Sequence, residues 1–361
     1  MTTSLRNPRT ARRLPRARRH WSDWIGYAAA AWAAIYGVVA LVWTLTGRGF
    51  PFGQGDPDND LAVLSDLPAS QGAPMFAAVL LGTAVVCLGI ARGGARMDPH
   101  DPSRRMLLAF GWTVAGALLV VIPTVEVLAL LGYLPMLVGG APFGWPPVDY
   151  SEVFSWPLIN QAVAMAGGVL VAGTVLSWQR RTRGACANCG RSDEPQRAAP
   201  HSDRLAVGVA IAVPLLYAVT RFAWLLGIPL GIDAAMLRDL RDSGGVWAGA
   251  GLAAFAVVGA VLTLGLVQQW GEVFPRWLPI VRGRRVPIRL AVVPATLVSL
   301  AVTSGGLGTL AGAGELLDGF AAEPWMVIPH LLWPVWGVAL GAGTYAYWLR
   351  RRGRCPRCGR S

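Results

Sequence analysis

The chain has 361 residues, of which 54% are hydrophobic and only 14% are charged. Soluble globular proteins carry about 25% charged residues, so this composition excludes an ordinary water-soluble protein and indicates lipid as the solvent for much of the chain. The formal net charge of +12 comes with 32 basic residues that are all arginine, and their placement in the sequence decides what that charge means.

Long apolar runs recur along the whole chain, and each begins or ends near tryptophan, tyrosine or arginine. About 20 apolar residues in a helix match the ~30 Å hydrocarbon core of a bilayer, and such flanking residues are typical of its interfaces. The first run is longer than the apolar region of a cleaved signal peptide, so we expect it to stay in the membrane. The pattern predicts eight membrane-spanning helices near residues 25–46, 74–92, 106–130, 155–178, 205–226, 247–268, 288–311 and 325–348.

The arginines are concentrated before the first run and in alternate connections between runs. Twenty-eight of the 32 lie in the tail before residue 20 or in the segments 92–105, 180–204, 276–289 and 350–360. Short arginine-rich loops stay in the cytoplasm, which predicts a multi-pass protein of the cell membrane with both termini cytoplasmic. We expect the basic face to contact anionic lipid headgroups and the tail 1–24 to be disordered. No accompanying pattern indicates nucleic-acid binding.

Two segments of the chain are nearly the same. AGTVLSWQRRTRGACANCGR at 172–191 corresponds to AGTYAYWLRRRGRCPRCGR at 342–360, and the Tyr36–Trp43 spacing recurs between Tyr217 and Trp224. These repeated segments predict an all-α polytopic bundle in which a four-helix unit is duplicated. Because four helices return the chain to the side where it started, the two repeats are expected to be parallel. The expected units are 25–191, a cytoplasmic linker 192–204, and 205–361.

One loop and its flanks carry a resemblance to known proteins. WGEVFPRWLPIVRGRRVPIRLAVVPA at 270–295, together with the helix exit GFPFG at 49–53, is similar to a group of multi-pass membrane proteins of GC-rich actinobacteria. The amino-acid composition, rich in alanine, glycine, arginine and proline and without lysine, is also similar to the composition of those proteins. The resemblance implies an integral membrane protein and assigns no activity to any residue.

Four of the five cysteines form two CxxC pairs, Cys186 with Cys189 and Cys355 with Cys358, each followed by Gly-Arg. A CxxC turn presents two sulfurs to one tetrahedral Zn²⁺ ion, and a structural site needs four such ligands. The predicted duplication would bring both zinc knuckles out of the membrane at a similar height, as one Cys₄ zinc site. Inert knuckles and redox-active thiols are the alternatives, whereas a stable disulfide does not suit the reducing cytoplasm.

Polar side chains inside the predicted spans form a second candidate site. Glu126 and Arg221 fall at similar depths in two helices of the same direction, and Asn160, Gln161 and His330 come early in two helices of the opposite direction. Ionisable groups in a membrane are costly and often functional, so these five predict a polar cluster near the outer face. Alternatively, Glu126 is hydrated at the helix exit and Arg221 extends toward the interface.

Three functions are compatible with this pattern. A transporter or permease is suggested by the duplicated bundle and the polar cluster, and a membrane scaffold by the zinc site and the basic face. An enzyme that acts at the outer face with Glu126 and His330 ranks third, because the sequence contains no HExxH, GxSxG or phosphate-loop motif. No residue is therefore assigned a catalytic role.

Overall fold

The structure of the protein is a computed structural model. It describes residues 20–56, 62–93, 97, 98, 100–143, 153–192, 202–277, 279, 281–311 and 324–360. Most of the predicted basic tail 1–24 and most of the predicted linker 192–204 lie outside these residues.

The described residues form helices with short connections and a single isolated β-bridge between Val273 and Arg285. A π-helical segment at Ala117–Val121 and short 3₁₀ turns join some of the helices. In chain order the helices are α1 (Trp21–Thr46), α2 (Ala69–Gly93), α3 (Pro102–Gly116), α4 (Val125–Gly140), α5 (Trp156–Thr182), α6 (Ser202–Leu225), α7 (Ala234–Asp242), α8 (Gly245–Leu264), α9 (Ile288–Ala311), α10 (Pro324–Leu331) and α11 (Trp333–Arg351).

Seven helical segments in the described part of the chain are long and apolar enough to cross a membrane: Trp21–Thr46, Ala69–Gly93, Pro102–Val121, Trp156–Thr182, Asp203–Leu225, Gly245–Leu264 and Ile288–Ala311. Many of their large apolar side chains point outward, for example Ile35 and Val85, which are 68% and 71% exposed. Such exposure would be unfavourable in water and is natural in lipid. The prediction of an all-α, multi-pass membrane bundle is confirmed at this level.

Two of the predicted spans differ from the observed helices. The third, predicted over 106–130, is interrupted between Val121 and Val125, and the chain continues as α4 as far as Gly140. The interruption contains Pro123, which has no N–H to donate and obstructs the preceding turn. The eighth, predicted over 325–348, is divided into α10 and α11, with Pro334 in the first turn of α11.

The same helix pairs pack together in the two halves of the chain. In the first half, α1 packs against α2 and α5, and α3 packs against α5. In the second half, α6 packs against α8 and α11, and α9 packs against α11. The halves meet where α9 packs against α4 and the π-helical segment. A small buried cluster of Val127, Leu158 and Ala301 lies at this junction.

Glycines allow the closest of these helix contacts. A Cβ on Gly337 of α11 would lie 2.1 Å from the Thr303 hydroxyl oxygen and 2.7 Å from the Ser299 carbonyl oxygen of α9. The Ser299 hydroxyl also donates to the Gly337 carbonyl at 2.7 Å. Helix association in lipid depends on close packing of this kind, since burial of apolar surface gives little advantage there.

We therefore expect Gly337→Ala to destabilise the bundle by about 1–3 kcal/mol, the usual cost of overpacking. The measurement is thermal unfolding of the purified full-length protein in detergent. Gly251→Ala is the matched control, because a Cβ at Gly251 in α8 meets no atom within 4 Å. Equal unfolding temperatures for the two variants would show that the α9–α11 contact does not require glycine.

Candidate metal centre

The two CxxC segments fold into matching turns directly after α5 and α11. In each turn the N–H of the first cysteine donates to the carbonyl five residues later, at 3.0 and 2.9 Å, and the glycine N–H donates back to that cysteine's carbonyl, at 2.7 and 2.9 Å. The glycines have φ angles of 75° and 71°, a left-handed conformation that favours glycine. The residues involved are Cys186, Gly190 and Arg191, and Cys355, Gly359 and Arg360.

The turns face each other and bring four sulfur atoms together. The Cys186 and Cys355 Sγ atoms are 4.0 Å apart, and those of Cys189 and Cys358 are 3.6 Å apart. All four lie within 4.8 Å of one another. Four thiolates bound tetrahedrally at ~2.3 Å from one ion would be about 3.8 Å apart. The cluster is therefore positioned to hold a metal ion, as the cysteine pattern predicted.

Arginine side chains join the two turns across the cluster. Arg191 donates to the Arg360 carbonyl at 2.9 Å, and Arg360 donates in return to the Arg191 carbonyl at 3.2 Å. Arg191 also donates to the carbonyls of Arg352 and Gly353, and Arg352 donates to the Cys189 carbonyl. These bonds fix the relative position of the turns, and partners of this kind around a metal site set the orientation of its ligands.

The sulfurs have unequal proton affinities. Burial acts to raise the pKa of Cys355, but hydrogen bonds from the backbone N–H groups of Cys358 and Arg357 and from the Asn188 amide lower it to about 6. For Cys189, burial and the neighbouring thiol groups raise the pKa to about 12. Cysteine binds a metal ion as the thiolate, so a cation bound at this cluster would displace thiol protons.

The second turn also contacts the beginning of the first helix. Arg357 donates to the Ser22 hydroxyl and to the Asp23 carboxylate, both at 2.6 Å. Asp23 in turn accepts from the backbone N–H of His20, which caps α1. The cysteine cluster is consequently connected to the start of α1 as well as to the ends of α5 and α11.

Asn160 and Gln161 occur in a buried hydrogen-bond network at the break in the third span. The Gln161 side-chain oxygen accepts from the Thr124 N–H and hydroxyl at 3.0 and 3.1 Å. Asn160 accepts from the Tyr36 hydroxyl at 2.8 Å and donates to the Trp156 carbonyl. Gln161 therefore satisfies a backbone group that the break leaves without a helical partner.

Glu126 lies next to this network, and the contacts of Arg221 are with aromatic rings of its own helix. The Thr124 hydroxyl accepts from the Glu126 N–H at 3.3 Å. The Arg221 guanidinium is placed over the rings of Tyr217 and Trp224, 4.6 and 4.0 Å from their centroids, within its own helix α6. No ion pair between Glu126 and Arg221 occurs among the described residues. The aromatic rings, and not an ion pair, stabilise the positive charge of Arg221.

His330 lies at the end of α10, where its ring is 4.5 Å from that of Trp333 at the start of α11. Trp333 is in turn close to Gly305 of α9, which also approaches Val125 of α4. The break regions of the third and eighth predicted spans therefore meet on the same glycine of α9.

Several residues of these sites were not predicted from the sequence. Ser304 of α9 donates to the Pro123 carbonyl, another backbone group at the break. A serine before two glycines gives no sequence signal for that contact, which depends on how α9 meets the first half. The cross-bonding of Arg191 and Arg360 did have a signal, since both CxxC pairs continue as Gly-Arg.

No protein-family model, curated protein or solved structure matches the chain. The class of this protein is therefore inferred from its fold and its four-cysteine cluster. The described residues define a polytopic helical membrane protein with a four-cysteine cluster that can hold a metal ion.

Arg191→Met should weaken metal binding at the four cysteines, probed with added Zn²⁺, by roughly 10- to 100-fold, the usual effect of removing a residue that orients metal ligands. The variant loses three donors to the opposite turn. Zn²⁺ affinity is measured by competition with a chromogenic chelator. Arg354→Met is the control, because it removes an equal charge from an exposed neighbour of Cys355. An equal effect of both variants would attribute the loss to charge and not to the cross-bonds.

Proposed function

We propose that this protein is a multi-pass membrane protein in which a structural Zn²⁺ ion joins the two halves of the helix bundle. The observation that carries the proposal is the convergence of Cys186 and Cys189 with Cys355 and Cys358, which lie 169 residues further along the chain. A cluster assembled from such distant segments restrains the whole bundle, because it ties the end of α5 to the end of α11.

Zinc is the metal that suits this ligand set best. Four thiolates at tetrahedral spacing select Zn²⁺ or iron, and paired CxxC knuckles are typical of structural zinc. With four protein ligands the ion has no open position for water or substrate, so its role is structural and not catalytic. Arg191 and Arg352 hold the turns through backbone carbonyls and leave the sulfurs to the metal, while their charges offset the negative charge of a Zn(Cys)₄ centre.

We further propose that the bundle consists of two parallel four-helix repeats, 25–191 and 205–361, and that α10 with α11 provides the eighth span. The matching helix contacts of the two halves and the matching hydrogen bonds of the two turns support this arrangement. Trp178 and Tyr347, each eight residues before the first cysteine of its pair, are both fully buried. The repeated sequence segments that end in CxxC are then the equivalent ends of the fourth and eighth spans.

The arginine distribution supports a cytoplasmic location for both termini and for the cysteine cluster. In that compartment thiols stay reduced and available to metal, which agrees with a zinc site. We also place the chain with the multi-pass membrane proteins of GC-rich actinobacteria, on the strength of residues 270–295 and the GFPFG exit.

Among the functions open to such a bundle, we favour a membrane scaffold. Asn160 and Gln161 bond to other parts of the protein, and Arg221 stacks on rings of its own helix, so their contacts are those of a packed interior. Transport is the second candidate, and a large apolar cavity in the second half favours it for an apolar or amphipathic molecule.

The purified wild-type protein should contain one Zn²⁺ per chain. Cys186→Ser and Cys355→Ser should each reduce the content to near zero, because a site with three thiolates binds the ion far more weakly and loses it during purification. Metal is measured by mass spectrometry against protein concentration. Cys87→Ser is the matched control, since Cys87 is buried in α2, outside the four-cysteine cluster.

Loss of only half of the metal in each single variant would mean that the two turns bind separate ions, which would contradict the shared site. Iron in place of zinc would contradict the proposed identity of the metal. It would still agree with one shared ion that joins the two halves.

The predicted orientation is tested with Ser243→Cys in the Cys87→Ser background. Ser243 is an exposed residue between α7 and α8, on the side opposite to the cysteine cluster in the proposed topology. A membrane-impermeant maleimide should label the new cysteine in intact cells. The knuckle cysteines serve as an internal reference and should react only after lysis and metal removal. Labelling of Ser243→Cys only after lysis would contradict the topology.

A further inference from the structure

A large cavity lies in the second half of the bundle, in addition to the metal centre. Its volume is about 830 Å³, within the range of sites that take whole organic ligands. The walls are apolar, and aromatic side chains contribute much of the surface, including Trp270, Phe274 and Trp336. Thr263 has the one hydroxyl group among the lining side chains, and that hydroxyl donates to the Gly259 carbonyl of its own helix at 2.8 Å. The cavity therefore suits an apolar occupant.

The position of the cavity gives it an opening toward lipid. Helices α6 and α11 pack against each other behind it, while α8 packs on α6 and α9 packs on α11, so α8 and α9 form its two edges. Lining residues on both edges are strongly exposed, with Leu262 of α8 at 62% and Leu290 of α9 at 58%, so the cavity is open along these helices. An occupant can consequently enter sideways from the bilayer.

The described residues between Leu266 and Val286 cover one end of the cavity and are firmly held. The Phe274 N–H donates to the Arg284 carbonyl at 2.9 Å, which folds the segment back on itself. From α11, the Tyr347 hydroxyl donates to the Gly271 carbonyl at 2.7 Å and Arg351 donates to the Val286 carbonyl at 3.0 Å. We call this segment the cap.

The outer surface of the cap and the start of α9 are strongly basic. Five exposed arginines lie within fourteen residues, beside an apolar cavity whose lining includes Pro275, Val286 and Leu290. They are Arg276, Arg282, Arg284, Arg285 and Arg289. Arginine is the side chain best suited to bind phosphate, because its planar guanidinium group donates two parallel hydrogen bonds to the anion.

We propose that this cavity is a binding site for an anionic glycerophospholipid. The acyl chain lies between α8 and α9 against the aromatic wall, and the phosphate lies at the cap against Arg284 and Arg285. The arginines at the cap favour a negatively charged headgroup, and the apolar walls behind the cap favour an acyl chain. An anionic glycerophospholipid has both. This inference does not depend on the zinc site.

The corresponding place in the first half differs in size. Between α2 and α3, near Trp178, lies a smaller cavity of about 420 Å³, lined by residues such as Gly89, Gly93 and Leu107. The binding site is therefore assigned to the second half alone.

The test uses the full-length protein, delipidated in detergent and titrated with phosphatidylglycerol or with phosphatidylcholine of the same acyl chains. Native mass spectrometry counts the bound lipid. We expect one phosphatidylglycerol per chain that binds at least tenfold more tightly than phosphatidylcholine. The double variant Arg284→Gln/Arg285→Gln should lose about tenfold or more of this preference, since each arginine near a membrane surface contributes substantially to anionic-lipid binding. Arg92→Gln/Arg105→Gln, with two exposed arginines of another connection, should keep it.

Two variants test the acyl-chain position. Ala295→Phe fills the cavity from α9, and Gly259→Leu does so from α8, where a Cβ meets no atom within 4 Å. Each should lower the affinity for both lipids by about tenfold. Wild-type phosphatidylglycerol binding in both filled variants would overturn the assignment of the cavity. Retained preference in the arginine double variant would overturn the anionic headgroup, and equal binding of the two lipids by the wild type would do the same.

Discussion

The structure depends on one constraint, which is that lipid offers no hydrogen bonds to a protein backbone. Unbroken helices satisfy it internally, but the helix predicted as the third span is interrupted at Pro123, where backbone groups lack helical partners. Gln161 from α5 and Ser304 from α9 bond to those groups. One of these partners comes from each half of the chain. The hydrogen bonds at this single helix break therefore also fix the position of one half against the other.

Attraction between the halves has to come from something other than burial of apolar surface, because lipid is as apolar as leucine. At the ends of α5 and α11 the chain leaves the bilayer, and there thiolates and arginine hydrogen bonds can act in water. Structural Zn²⁺ binding contributes roughly 10–16 kcal/mol in small zinc proteins, as much as the typical total stability of a domain. A zinc ion at the four cysteines would thus be the strongest single connection between the halves.

Residue patterns predicted the parts of the molecule that follow from local chemistry. Apolar length and flanking residues predicted eight spans, of which the described residues contain seven as long apolar helices, and CxxC spacing with its Gly-Arg continuation predicted the four clustered sulfurs. The partners of polar residues were not predictable, because they depend on which helix faces which. Arg221 was predicted to lie at a depth similar to that of Glu126, but the sequence did not predict its stacking on Tyr217 and Trp224, three or four residues away on its own helix. The cavity was not predicted from the sequence either, because its walls come from four helices whose packing the sequence does not show.

Helix α11 connects the metal centre to the cavity. Its Tyr347 and Arg351 hold the cap, and Cys355 follows four residues after Arg351, where the helix ends. Arg350 of the same helix pairs with Asp203 at the start of α6, so the whole end of α11 is restrained. With a metal bound at the four cysteines, α11 could not rotate without breaking either the sulfur cluster or the hydrogen bonds to the cap. Loss of the metal would release that end, and the cap would then keep its position only through the contacts that α11 makes within the second half.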